Sequence, residues 1–194
     1  MEAHARTHYT LEEYLQLEAD TGRKHEYHRG QVYAMSGGTI EHGVIGGNVF
    51  ALLRAELRRQ KKDCKVRNSE VKVYVATEDL YVYPDAMVIC GEVKKSDQES
   101  NAIINPMVVV EVLSKSTADY DRGDKFHLYR QLPSLQEYVL IEQDKAVVES
   151  FSKQSDSDLW RISRVEGVDA SVEFRSLGVV LSVETIYEDV ELPR

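Results

Sequence analysis

Residues 106–113, PMVVVEVL, are apolar from Met107 to Leu113 at every position but Glu111. A run apolar on both faces reads as a central strand of a sheet covered on both sides. Residues 81–90, YVYPDAMVIC, repeat the pattern, again with one acid, Asp85. Neither run approaches the roughly 20 apolar residues that span a bilayer. The amino terminus, MEAHARTHYT, has no secretory apolar core, so a cytoplasmic protein without membrane contact is expected. Cys64 and Cys90, far apart and outside any CxxC, read as reduced structural thiols.

The spacing around these runs predicts a mixed α/β chain of one domain over residues 1–194. Thr10 with Glu13 forms a capping box before a helix carrying Leu11, Tyr14 and Leu15. HEYHRGQVYAM reads as a hairpin turning at Arg29-Gly30. A long amphipathic helix follows from about Thr39 to Lys62, burying Ile45, Val49, Leu52 and Leu53. Three strands are expected at Lys65–Val75, Tyr81–Cys90 and Pro106–Leu113. A helix from about Ala118, capped by Ser116 or Thr117, stops before Pro133. The tail reads as short strands at Glu137–Glu142, Ala146–Ser152, Leu159–Arg164 and Ser171–Phe174, with turns at Gln143-Asp144 and Ser155-Asp156. The order gives a mixed sheet with helices on both sides.

Thirty-three Asp and Glu against 24 Lys and Arg give a net charge of −9, which argues against a non-specific polyanion binder. A nucleic-acid partner would need a local basic patch, and residues 54–67 supply Arg54, Arg58, Arg59, Lys61, Lys62, Lys65 and Arg67. The plain alternative is a solvated helix end.

Glu111 carries the most information. An ionised carboxylate in so apolar a strand costs several kcal/mol unless a cation, a hydrogen-bond network or a metal compensates it. Neighbouring strands could bring Asp85 beside it. Carboxylates on rigid strands hold Mg²⁺, which keeps waters and takes one or two acids plus phosphate oxygens; the backbone carbonyl of Val112 could add a ligand. Lys125, on the following helix, shares a face with Tyr129 at i, i+4, with Arg122 a turn earlier. It could orient water or neutralise charge growing on a phosphoryl oxygen, or merely pair with Glu111. His25, His28 and His42 do not suggest zinc, because strand alternation separates His25 from His28. The glycines at 37, 38, 43, 46 and 47 lack the Lys-Ser/Thr of a phosphate-cradling loop and read as turn and close-packing residues.

Tyr83-Pro84-Asp85, residues 106–114 (PMVVVEVLS), Asp121 to Lys125 with Tyr129, and Glu137-Tyr138-Val139-Leu140 together resemble a bacterial restriction-endonuclease-like family of the PD-(D/E)XK nuclease superfamily. The likeness extends to Glu26-Tyr27, Gly30 and His42. It implies a restriction-endonuclease-like fold, a central mixed sheet flanked by helices with extra strands in the C-terminal part. It also implies hydrolysis of DNA phosphodiesters with Mg²⁺, Mn²⁺ being possible, by Asp85, Glu111, Lys125, Glu26 and His42, with Asp85, Glu111 and Val112 around the metal. The chain departs from the usual motif at Leu113, where the superfamily's lysine is expected. Lys125 fits the related pattern in which that lysine has moved to the next helix. The alternative is a catalytically inactive nuclease fold that binds nucleic acid or protein. Exposed edges among the tail strands point to a homodimer.

Overall fold

The computed structural model describes residues 8–35, 37–115, 117–155 and 157–193. Helix α1 (Leu11–Thr21) begins with the expected capping box: Glu13 N–H donates to Thr10 Oγ1 at 3.2 Å, and Thr10 N–H to Glu13 Oε2 at 2.9 Å. Strands β1 (His25–His28) and β2 (Gln31–Ala34) form the hairpin. Arg29 and Gly30 at its tip both have positive φ, 49° and 84°, as a two-residue primed turn requires. Helix α2 (Ile40–Arg59) starts where Thr39 Oγ1 accepts from His42 N–H.

The chain continues through β3 (Cys64–Asn68), β4 (Lys72–Val75), β5 (Leu80–Val82), β6 (Ala86–Cys90), β7 (Ala102–Ile103) and β8 (Val108–Leu113). A helical stretch runs from α3 (Ala118–Tyr120) through a π-helical turn (Asp121–Lys125) into α4 (Phe126–Tyr129). The remainder is β9 (Glu137–Glu142), β10 (Val147–Lys153), β11 (Trp160–Glu166), β12 (Ser171–Phe174), β13 (Val179–Ser182) and α5 (Val183–Ile186).

The central layer is a six-stranded mixed sheet, ordered β11-β10-β9-β8-β6-β3, with β8 and β9 parallel and its other pairs antiparallel. Val88, Val110 and Val112 on one face pack against Ile45, Val49, Leu53 and Leu57 of α2. Met87, Ile89, Val109 and Leu113 on the other face pack against Tyr129 and against Val73, Val75 and Val82 of a second sheet, ordered β2-β1-β5-β4-β7. Strand β8 is thus covered on both sides, and this is why nearly every one of its residues is apolar.

Two strands expected to be continuous are broken. Residues 65–75 turn after Asn68, where Val71 N–H donates to the Asn68 carbonyl at 3.2 Å, and β3 and β4 join different sheets. Residues 81–90 break at Tyr83-Pro84-Asp85, because Pro84 has no N–H for a ladder, and the chain crosses from the five-stranded to the six-stranded sheet. Strands β9 and β12 have the expected bounds, β10 and β11 begin one residue later and end one or two later, and β13 and α5 are additions. Of the expected helix caps and turn residues, Ser116 and Asp156 lie outside the described residues.

The cysteine expectation is overturned. Strand pairing sets Cys64 directly opposite Cys90, and the two form a disulfide. Their distance of 26 positions in sequence concealed an antiparallel register.

Candidate active site

Glu111 lies mid-strand in β8, its side chain only 6% exposed. Two donors meet it: Tyr129 Oη–H at 2.9 Å and Lys125 Nζ at 3.0 Å, both to Oε1. The same ammonium lies 3.1 Å from Glu26 Oε1, brought in by β1 of the other sheet, and 3.4 Å from Asp121 Oδ1. The wider π-helical turn lets both Asp121 and Lys125 point inward, and π turns of this kind often accompany functional sites.

Burial pushes the Glu111 carboxyl well above the usual carboxylate range; Asp121, Asp85 and Glu26 add to this and Lys125 opposes it. Burial also works against the Lys125 charge, but Glu111 and Glu26 outweigh it and hold the ammonium well above its ordinary pKa. Lys125 therefore stays charged in a water-poor setting, where a fixed cation acts strongly on nearby anions.

Asp85 sits at the crossing between the sheets. The register pairs Ala86 with Val110, so Asp85 leads into β6 at the end of the ladder next to Glu111. Where strand pairing stops, Asp85 Oδ2 accepts from Val112 N–H at 2.6 Å. Its other oxygen lies 2.9 Å from His42 Nε2, in the first turn of α2. Burial opposes protonation of His42, yet the hydrogen bond and charge of Asp85 keep its pKa above the ordinary value. His42 Nδ1 is buried and has no hydrogen-bond partner among the described residues.

Glu26, His42, Asp85, Glu111, Val112 and Lys125 all line one cavity of about 1090 Å³, so the structure brings together every expected site residue. Asp121 and Tyr129 join the cluster as residues not assigned roles from sequence. Their signal was present, since both lie four positions from Lys125. Arg122 departs from expectation: it turns away to pair with Glu142 and Glu149, because the π turn shifts the helix face. Gly43 and Gly47 line the cavity with open space beside them, and a Cβ added at Gly46 would make only an ordinary contact, 3.8 Å from Asp85 Cβ. These glycines leave room for an occupant instead of drawing helices together.

The basic patch at residues 54–67 is a solvated helix end. Arg59 lies about 25 Å along α2 from His42. Four of the seven cations are already engaged, Arg59 by Glu56, Lys65 by Asp63, Lys62 by the Leu177 carbonyl and Arg67 by the Val66 carbonyl.

Among the described residues no three His, Cys, Asp or Glu side chains converge as a self-sufficient metal cage. The donors do fit a hard dication that is completed by water and phosphate oxygens. Asp85 and Glu111 line the same cavity, and a carboxylate has about four lone-pair positions, so hydrogen bonding leaves acceptor capacity.

A mixed sheet covered on both faces, with one acid at a break between two strands, another within the neighbouring strand and a lysine on the next helix, defines a restriction-endonuclease-like α/β protein. The chain belongs to the Uma2 family, described as "Putative restriction endonuclease", whose pattern matches residues 11–184. It is 39% identical over 177 residues to the uncharacterized protein slr1290 of Synechocystis sp. (strain ATCC 27184 / PCC 6803 / Kazusa), covering 91% of this chain and 90% of the relative. The uncharacterized protein sll1609 of the same organism is 36% identical, covering 85% and 92%. The fold is shared with a crystal structure described as a putative nuclease belonging to DUF820 from Anabaena variabilis ATCC 29413. The TM-score is 0.72 at 19% identity, covering 93% of this chain and 98% of that one.

Proposed function

We propose that the chain is an endonuclease that hydrolyses DNA phosphodiester bonds with Mg²⁺, or Mn²⁺ in its place. One observation carries the reading: Asp85, the residue before β6, and Glu111, in the neighbouring strand β8, line one cavity, with the Lys125 cation 3.0 Å from Glu111. The family description and the description of the Anabaena structure support it.

Asp85, Glu111 and the Val112 carbonyl would hold the ion. A divalent cation bound there supplies Lewis acidity toward a phosphoryl oxygen and acidifies a bound water. The remaining work falls to the chain. Lys125 presents fixed positive charge to a phosphate in the cavity and offsets the charge gained as the phosphorus is attacked. Glu26 and Asp121 keep that ammonium charged and aimed. His42 fixes the Asp85 carboxylate from one side while Val112 N–H fixes it from the other. Tyr129 orients Glu111.

The test is cleavage of supercoiled plasmid and of single-stranded DNA with Mg²⁺, Mn²⁺ or EDTA, comparing wild type with Asp85→Ala and Glu111→Gln. Metal-dependent cleavage lost in both variants is the expected result; equal activity in all three proteins overturns it. The second reading, an inactive nuclease fold that binds nucleic acid or protein, draws on the three acids already around Lys125. Calorimetry decides between them: absence of Mg²⁺ and Mn²⁺ binding, or binding unchanged in Glu111→Gln, favours the structural cluster.

A homodimer belongs to the same proposal. Strand β11 is the outer edge of the central sheet, with Ile162 67% exposed, and such edges invite pairing. Sedimentation of wild type against Ile162→Lys checks this. Among the described residues no helix is long and apolar enough to cross a membrane.

A further inference from the structure

The reactive groups are recessed. Side chains of Glu26, Glu111 and Lys125 are each 6% exposed, and they are reached through the cavity of about 1090 Å³. That volume slightly exceeds the range of small-ligand pockets, about 300–1,000 Å³. It suits a few nucleotides of one strand. A rigid duplex is too bulky to enter a space of this volume, whereas a few unpaired nucleotides fit inside it.

The cavity wall has the two features by which proteins hold single strands, cations that track phosphates and rings on which bases stack. Arg23, Lys24 and Lys115 line it, with Arg23 and Lys115 exposed and forming no ion pair among the described residues; Lys24 pairs with Glu70 at 2.5 Å. Phe50 and Tyr120 line it as well and are only half-buried. Glu26, Glu111 and Asp121 are buried while Arg23 and Lys115 are exposed, which separates the place where a bond is cut from the place where the strand is gripped. Three cations fall well short of the roughly 6–10 phosphate contacts of proteins that grip duplex DNA by charge.

We propose that this cavity takes a single strand of DNA, a frayed end or an unpaired segment, with bases stacked on Phe50 and Tyr120 and flanking phosphates on Arg23, Lys24 and Lys115. The proposal rests on the nuclease reading and names the form of its substrate.

Binding is measured without metal, by fluorescence anisotropy of a labelled ten-nucleotide strand and of the same sequence as a blunt duplex. The strand should bind at least about tenfold more tightly. Phe50→Leu and Tyr120→Leu should each weaken strand binding about five- to tenfold. Because Phe50 also touches the core, the exposed pair Arg23→Glu with Lys115→Glu provides a variant that leaves packing intact. It should flatten the slope of log affinity against log salt by about 1.4, from about 0.7 per phosphate contact. Equal or tighter duplex binding, or an unchanged salt slope, overturns the proposal. Cleavage of the same two substrates with Mg²⁺ separates the readings. A duplex cut as fast as the strand overturns the single-strand form and leaves the nuclease reading standing. Preference for the strand without cleavage of either upholds the grip and removes the nuclease reading.

Discussion

Among the described residues two buried lysines, Lys72 and Lys125, are held by acids, and of the two Lys125 alone borders the cavity. Lys72 lies 2.7 Å from Glu18 and 3.9 Å from Glu99, its side chain 5% exposed, under the rings of Tyr14 at 5.0 Å and Tyr83 at 5.7 Å. Tyr83 Oη–H and His25 N–H complete the hydrogen bonding of Glu18. Lys125, equally buried, is surrounded by Glu26, Glu111 and Asp121 and faces the cavity. Similar chemistry thus serves two ends. Sealed under aromatic rings, an ion pair fastens α1 to the five-stranded sheet; beside a cavity, it can exchange partners with a ligand. Burial of charge alone does not mark a functional site, whereas burial of charge beside accessible volume does.

The largest effect that would break this contrast concerns stability. Lys72→Met leaves Glu18 buried without its cation and should cost about 3–5 kcal/mol in urea denaturation. Cleavage per folded molecule should be unchanged, and a matching loss of activity would erase the distinction between the clusters. Lys125→Met should lower the cleavage rate by about 10²–10³-fold. Added Mg²⁺ should raise the melting temperature of Lys125→Met and leave that of Lys72→Met as it was, since only the cavity cluster admits a replacement cation. His42→Ala should weaken activity or Mg²⁺ affinity about 10–100-fold, the usual cost of losing a group that orients a ligand. Tyr83→Phe, which removes the hydroxyl donor to Glu18, should cost about 1.5 kcal/mol of stability with no change in rate.

Much of this was legible in the chain itself. Thr10-Glu13, Arg29-Gly30 and Thr39 announce their elements because caps and tight turns are local. Glu111 stands out because a lone acid in an apolar strand needs a partner. Asp85 stands out for the same reason and Lys125 by its helical spacing, whereas His42 and Glu26 are placed by family likeness, and the geometry then supplies their reasons. What escaped was long-range. Alternation in residues 65–75 reads the same for one strand as for two strands in different sheets. The Cys64–Cys90 disulfide exists because of a register that no local pattern encodes. The π turn leaves no mark in composition, and it takes Arg122 off the face that regular helical spacing assigns to it.

The hand-over at Tyr83-Pro84-Asp85 ties the chemistry to tertiary architecture. Asp85 enters the central sheet just as the chain leaves the other one, and Glu26 reaches Lys125 from that other sheet. The working groups are therefore assembled across a seam, and no single layer owns them. Mutations far from the cavity that loosen the docking of one layer on the other would silence the protein while its circular dichroism stayed native-like. In a screen for inactive variants, hits should consequently map along that seam as well as at the acids themselves.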